Sequence, residues 1–293
     1  MEAVQWAVDW WASMDNFDGR WWMEATEEHA EIPILAVCAY LVFLNVGPKL
    51  ITRPLNIKYY VAFWNFLLAL FSIIGSFYCV PVIWKKVMDD GFLSSVCSDD
   101  IRFMIEGKGG LMLTLFIYSK FFELIDTVFL VLKKKEVIFL HWFHHVTVLL
   151  YCWHAFKLGI SCGLYFAGMN YVVHSIMYTY YCLAIMGYKV VFKVAPLITM
   201  IQILQMVGGM AVLMTAGYEQ LSGGHCNVKP SNWKLGLAMY ASYFVLFALL
   251  FHDKYVNKGK NQHKSPCSIE GAKSIDAAGF FHTTKTAGHQ KSQ

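Results

Sequence analysis

Tyr60-Val-Ala-Phe-Trp-Asn-Phe-Leu-Leu-Ala-Leu-Phe-Ser-Ile-Ile-Gly-Ser-Phe-Tyr-Cys-Val-Pro-Val-Ile-Trp84 contains no charged residue. It exceeds the ~20 apolar residues a helix needs to cross a ~30 Å hydrocarbon core. Similar runs recur along the chain, giving seven segments: Ile32–Val46, Tyr60–Trp84, Leu111–Leu132, Val137–Phe156, Cys162–Met186, Val190–Gly217 and Leu235–Phe251. An all-α polytopic membrane protein is predicted, because only helices and closed barrels satisfy every backbone polar group in lipid.

Composition agrees. Of 293 residues, 57% are hydrophobic and 15% charged, against about 45–50% and about 25% in soluble domains. Aromatic residues at 16% exclude a disordered chain. The net charge of +4, with its bases in short loops and a tail, gives no nucleic-acid-binding face. The first thirty residues are acidic and Trp-rich and lack the basic start and apolar centre of a secretory signal. Neither a Walker loop nor a Rossmann glycine pattern occurs, and the absence of an internal repeat disfavours transporters built from inverted halves.

Seven spans place the termini on opposite sides. Lys49, Arg53, Lys58, Lys133–Lys135, Lys189, Lys193 and the lysine-rich tail share one side, which outweighs the other in bases. By the positive-inside rule the C-terminus is cytosolic and the N-terminus lumenal or extracellular. Three regions are predicted: an acidic lumenal segment (1–31), a seven-helix domain (32–256) and a disordered basic cytosolic tail (257–293).

Ionisable groups within spans mark functional sites, since each costs ~2.5–3.5 kcal/mol to insert. The third span carries Lys120, Glu123, Asp126 and Thr127 within an arc of about 120°. Lys120 and Glu123 can pair at i, i+3. The fourth opens with His141-Trp-Phe-His144-His145, three histidines on one face. The fifth aligns Asn170, His174, Met177, Tyr178 and Tyr181; the sixth carries Thr199, Gln202 and Gln205. From the cytosolic edge His144 lies at a depth of about 10 Å, Glu123 about 14 Å, and His174 and Gln202 about 18 Å. A polar chamber open to the cytosol and closed near the midplane accounts for this layer.

Lys-x-x-Glu-x-x-Asp-Thr, His-x-x-His-His, Asn-x-x-x-His-x-x-Met-Tyr-x-Tyr-Tyr and Thr-x-x-Gln-x-x-Gln stand here at 120–127, 141–145, 170–181 and 199–205. In this order they resemble the signatures of the very-long-chain fatty acid elongases, the membrane 3-ketoacyl-CoA synthases of the endoplasmic reticulum. Tyr240-x-Ser-Tyr243 fits as well, and the similarity covers about residues 32–256. His-Trp-Phe-His-His followed by Thr-Val-Leu-Leu-Tyr resembles the branch acting on saturated and monounsaturated chains. The tail departs from the dilysine retrieval signal, with Gln290 before Lys291.

The resemblance implies condensation of a long-chain acyl-CoA with malonyl-CoA to give a 3-ketoacyl-CoA, CO2 and CoA. Spans 2 to 7 would surround a tunnel closed on the lumenal side. No metal or cofactor is implied. The expected partners are membrane lipids, the ketoacyl-CoA reductase, dehydratase and enoyl reductase of the same cycle, and a second copy of the chain. Neutral imidazole is nucleophilic near pH 7, so covalent catalysis by His144 is expected. His174 would contact the reacting thioester or enolate, Asn170 or a Gln would supply oxyanion hydrogen bonds, and His141 and His145 would orient His144 or move protons. Lys120, Glu123, Asp126, Tyr178, Tyr181, Gln202 and Gln205 are assigned to substrate binding, and Lys133, Lys134 and Lys135 to the CoA phosphates. Chain length would be read at the lumenal end, with Trp153 and Phe156 as candidates.

Three other readings fit parts of the pattern. An iron-dependent desaturase or hydroxylase would use histidines, but only His141, His144, His145, His154 and His174 fall in spans. A seven-helix receptor would match the orientation, but the last span lacks a retinal-binding lysine and Asn-Pro-x-x-Tyr, and the third lacks Asp-Arg-Tyr. A transporter would need its polar path to continue past the midplane.

Two cysteines complete the reading. Cys38, Cys79, Cys152, Cys162 and Cys182 lie in or beside spans and Cys267 in the tail. Cys97 and Cys226 fall in loops assigned to the lumen, where thiols oxidise. Were the barrel to bring spans 2 and 7 together, these loops would meet, and a Cys97–Cys226 disulfide is predicted.

Overall fold

A computed structural model describes residues 11–257, with Gln5 and Asp9. The predicted basic tail lies outside the described residues, apart from Asn257. The helices are α1 (Arg20–Glu28), α2 (Glu31–Leu50), α3 (Lys58–Asp90), α4 (Phe92–Val96), α5 (Arg102–Ile105), α6 (Gly107–Glu123), α7 (Ile125–Leu132), α8 (Phe139–Lys157), α9 (Gly163–Met186), α10 (Ala195–Leu221) and α11 (Pro230–Phe251). A π-helical turn, His252–Val256, extends α11. Among the described residues there is no strand, only a single bridge between Asp18 and Glu106.

Local chemistry sets the ends. Pro196 and Pro230 open α10 and α11, where a missing N–H costs nothing. Gly187, at φ 106°, closes α9, with the Tyr188 N–H returning to the Leu183 carbonyl at 3.1 Å. The third span is broken at Leu124, whose N–H reaches the Phe121 carbonyl three residues back, so α6 and α7 meet in a tightened turn.

Among the described residues four helices are long and apolar enough to cross a membrane by length and composition: Glu31–Leu50, Lys58–Asp90, Ala195–Leu221 and Pro230–Val256. The break at Leu124 shortens α6, while the histidines of α8 and the Asn, His and Tyr side chains of α9 lower their mean hydropathy. Phe63, Phe66, Leu70, Ile73, Phe77 and Trp84 of α3 are exposed. Such an uncovered apolar face suits a multi-pass membrane protein, in which hydrocarbon replaces the missing protein partner.

Six helices close on one another in the order α3, α9, α10, α11, α8, α6 and back to α3, with α2 outside against α7 and α8. The two most extensive pairings rely on glycine. A Cβ on Gly75 would lie 2.5 Å from the Tyr171 ring between α3 and α9, and one on Gly209 would lie 2.4 Å from the Tyr240 ring between α10 and α11. Small residues let membrane helices approach this closely.

One end of the ring carries a cross-link. Cys97 and Cys226 form a disulfide with S–S 2.05 Å and Cα–Cα 4.2 Å. Around it, the Ser161 hydroxyl donates to the Val96 carbonyl at 2.5 Å, its N–H reaches Asn227 at 3.1 Å, and His225 Nε2 lies 2.6 Å from Asp99. Nearby, hydrogen bonds from Arg102 hold the exposed Asp100 carboxyl down at about 2. The route to the disulfide is not the expected one: α9 and α10 stand between α3 and α11, which hold spans 2 and 7. The loops meet because α4 leaves the end of α3 and packs across onto α10.

The acidic N-terminal segment folds onto the same end. The Gly107 N–H donates to Phe17 at 2.8 Å, the Gly19 N–H to Ile105 at 2.9 Å, and Lys108 pairs with Asp15 at 3.0 Å. At the opposite end the Leu55 N–H donates to the Leu132 carbonyl at 2.9 Å, tying the 51–57 loop to the Lys133–Lys135 turn.

Candidate active site

Near that second end a pocket of about 760 Å³ is lined by Glu123 and Asp126, by His141, His144 and His145 of α8, by His174, Met177, Tyr178 and Tyr181 of α9, and by Gln202 of α10. Helical spacing explains the convergence: residues three and four apart share a face, and each helix turns that face inward.

The polar groups are held in defined pairs. Lys120 is 2% exposed and Glu123 4%. Lys120 Nζ meets Glu123 Oε1 at 2.6 Å and sits 3.9 Å from the Phe116 ring centroid. The Ser119 hydroxyl adds a bond to the same oxygen at 3.1 Å, leaving Glu123 Oε2 without a donor among the described residues. Asp126 joins three helices: it accepts from Trp64 Nε1 of α3 at 2.7 Å and from the Tyr178 hydroxyl of α9 at 3.1 Å. Thr127 lies 2.9 Å from His141 Nε2 and 2.8 Å from the Tyr40 hydroxyl, so α2 supports the histidine face from outside the ring.

The histidines form a compact group. The His141 and His145 ring centroids are 4.5 Å apart, and those of His144 and His145 5.4 Å. His144 faces Tyr243 of α11 at 5.0 Å. The Tyr243 hydroxyl donates to the His144 carbonyl at 3.3 Å and shares a 2.5 Å bond with Thr147. On α9, Asn170 Nδ2 lies 3.1 Å from His174 Nε2. Gln202 Nε2 donates to the Met177 sulfur at 3.2 Å. Among the described residues no three His, Cys, Asp or Glu side chains are grouped as metal ligands.

Asn170 also faces a second, mostly apolar cavity of about 530 Å³. Phe116, Val148, Cys152, Phe156, Ile160 and Tyr240 are among its walls, and it extends toward the disulfide-bonded end. Phe156 therefore lines a cavity, whereas Trp153 packs on Tyr118 and Phe121. Gln205 is separate from the histidine pocket and borders an apolar groove between α3, α9 and α10. Lys133, Lys134 and Lys135 stand at the turn beyond α7, Lys134 at a left-handed φ of 54°. Five wall residues carry no sequence signal: Asn65, a lone amide in an apolar run, and the apolar Val61, Phe129, Leu140 and Phe247. Trp64, which binds Asp126, reads in the sequence as one more apolar aromatic.

The model of the family described as "ELO: GNS1/SUR4 family" matches residues 25–263. "Fatty acid elongase 3" of Trypanosoma cruzi is 39% identical, the match covering 87% of this chain and 94% of that protein. "Very long chain fatty acid elongase 4" of the same organism is 43% identical over 83% and 86%. "Putative fatty acid elongase 3" of Caenorhabditis elegans is 36% identical over 84% and 76%. With a family match that spans all four polar motifs, and relatives this similar over most of their length, the chain belongs to the GNS1/SUR4, or ELO, family.

Proposed function

We propose that the protein is the condensing enzyme of fatty acid elongation, and that its chemistry runs through an acyl-imidazole on His144. The enzyme joins an acyl-CoA to malonyl-CoA. The observation that supports the mechanism is that four histidines from α8 and α9 line one pocket, while Asn170, 3.1 Å from His174, lines the apolar cavity. A thioester drawn in from the polar end sets its carbonyl among imidazoles, while its tail enters the apolar side.

In the first half-reaction a ring nitrogen of His144 attacks the thioester carbon, the C–S bond breaks, and CoA leaves with the imidazole proton. In the second, malonyl-CoA loses CO2. The resulting enolate carbon attacks the acyl carbon, the C–N bond breaks, and the imidazole recovers a proton from solvent. His174, held by Asn170, hydrogen-bonds the thioester oxygen where negative charge develops. His141, fixed by Thr127, and His145 orient His144. Lys120 and Glu123 neutralise each other within the wall, and Tyr178 and Tyr181 border the arm of CoA. Lys133–Lys135 meet its phosphates.

The chain crosses the bilayer seven times in the endoplasmic reticulum, with α6–α7, α8 and α9 among the spans and the two cavities joined as one tunnel. The disulfide-bonded end is lumenal and the lysine turn cytosolic. The substrates are saturated and monounsaturated chains, and the 3-keto product passes to a reductase, a dehydratase and an enoyl reductase. Purified protein given acyl-CoA and malonyl-CoA is expected to form 3-ketoacyl-CoA. Acyl-CoA alone is expected to leave an acyl adduct on His144, seen by mass spectrometry. Normal elongation by His144→Ala would overturn the covalent mechanism.

A further inference from the structure

Asn65 belongs to none of the recognised motifs, yet it lines the histidine pocket from α3 and is 6% exposed. Its orientation is set by its own helix. Nδ2 donates to the Val61 carbonyl one turn back at 2.7 Å, and since a carbonyl can only accept, the amide cannot be reversed. Oδ1 meets no donor among the described residues. The pocket therefore presents a fixed acceptor that protein groups leave unused.

The chemistry of the ligand follows from that of the acceptor: it must bring an N–H to this wall. An acyl-CoA carries amide N–H groups on its pantetheine arm, and the one nearest sulfur is two carbons away from it. Asn65 lies seven residues into α3 from Lys58, about 10 Å, and His144 five residues into α8 from Phe139, about 8 Å. The tie between Leu55 and Leu132 sets the start of α3 beside the turn that leads into α8. Asn65 and the reacting histidine thus line one pocket at similar depth, which suits the amide closest to the thioester. We infer that Asn65 is a substrate-positioning residue whose Oδ1 accepts the N–H of the pantetheine amide adjacent to sulfur. The inference rests on the condensing reading above.

The test crosses a change in the enzyme with a change in the substrate. Full-length protein and Asn65→Leu are assayed with acyl-CoA and with its analogue in which that amide is an ester, lacking the N–H. In the unaltered enzyme the ester is expected to raise KM about tenfold, with kcat within twofold. Asn65→Leu is expected to show a similar rise with acyl-CoA, and less than a twofold further change with the ester. If the two losses multiply instead, or if Asn65→Leu handles acyl-CoA normally, the assignment is overturned. Should Asn65→Leu not fold, Asn65→Ser, too short to reach, enters the same comparison. Active unaltered enzyme with multiplying losses removes the role of Asn65 alone, whereas inert unaltered enzyme overturns the condensing reading and this inference with it.

Discussion

The hydroxyl of Tyr243 reaches the backbone carbonyl of His144 at 3.3 Å while its ring stands 5.0 Å from the His144 imidazole. One side chain of α11 therefore fixes both the main chain and the ring face of the proposed nucleophile. Tyr243→Phe keeps the ring and removes the hydroxyl, leaving Thr147 and the carbonyl each short of one bond. A stability loss of about 1 kcal/mol is expected, with kcat reduced about tenfold and KM little changed. Thermal unfolding in detergent and steady-state kinetics check both numbers.

Thr127 joins Tyr40 of α2 to His141 of α8. Thr127→Val conserves shape and removes one bond from each partner in a buried site, a loss of about 1–3 kcal/mol. Thr127→Ser retains the hydroxyl and is expected to recover most activity. Equal loss in the two variants would show that the methyl group, not the bond, matters.

Phe156 borders the apolar cavity and Trp153 does not. Phe156→Ala is expected to lengthen the products, since one methylene in an apolar pocket is worth about 1–3 kcal/mol. Trp153→Ala is expected to leave product length unchanged and to destabilise the fold by about 3–5 kcal/mol. Gas chromatography of the products and unfolding curves separate the two.

Replacing Lys133, Lys134 and Lys135 together by Ala is expected to raise KM for acyl-CoA more than it lowers kcat, and to weaken the salt dependence of KM. An unchanged KM would move the phosphates elsewhere.

Cys97→Ser, Cys226→Ser and the double variant are expected to lose the same stability, up to ~5 kcal/mol in the chain-entropy model for so long a loop. Unequal losses would mean that the thiols act individually. Calorimetry of the three proteins reads this directly.

The spans were legible because hydrocarbon imposes its own length on a helix, and the predicted Tyr60–Trp84 lies inside the observed Lys58–Asp90. The surplus turn holds Lys85, Lys86 and Asp90, which hydropathy discards although Lys86 and Asp90 pair at 2.6 Å and continue the helix. The order of helices in the ring was not legible, because apolar faces carry no address: nothing in the sequence says that Gly75 seats Tyr171. The clustered polar residues were visible against their spacing. Asn65 was not, since one amide in an apolar run has no periodic companion, and Trp64 gave no sign that its N–H serves Asp126. Gln205 shares the three-residue spacing with Gln202, but the 60° between them, with a rise of about 4.5 Å, is enough to turn it out of the pocket toward the groove.

The ring also dictates a timetable for biosynthesis. Cys226 follows Cys97 by 129 residues, on the order of ten seconds of synthesis at ~5–20 residues per second. Over much of that interval α3 is complete while α9, its main partner, is still unmade. Gly75 then faces lipid or a membrane chaperone in place of Tyr171, and the first thiol stays open to any oxidant or rival cysteine. Neither the Gly75–Tyr171 contact nor the disulfide can form until the later helices have been made.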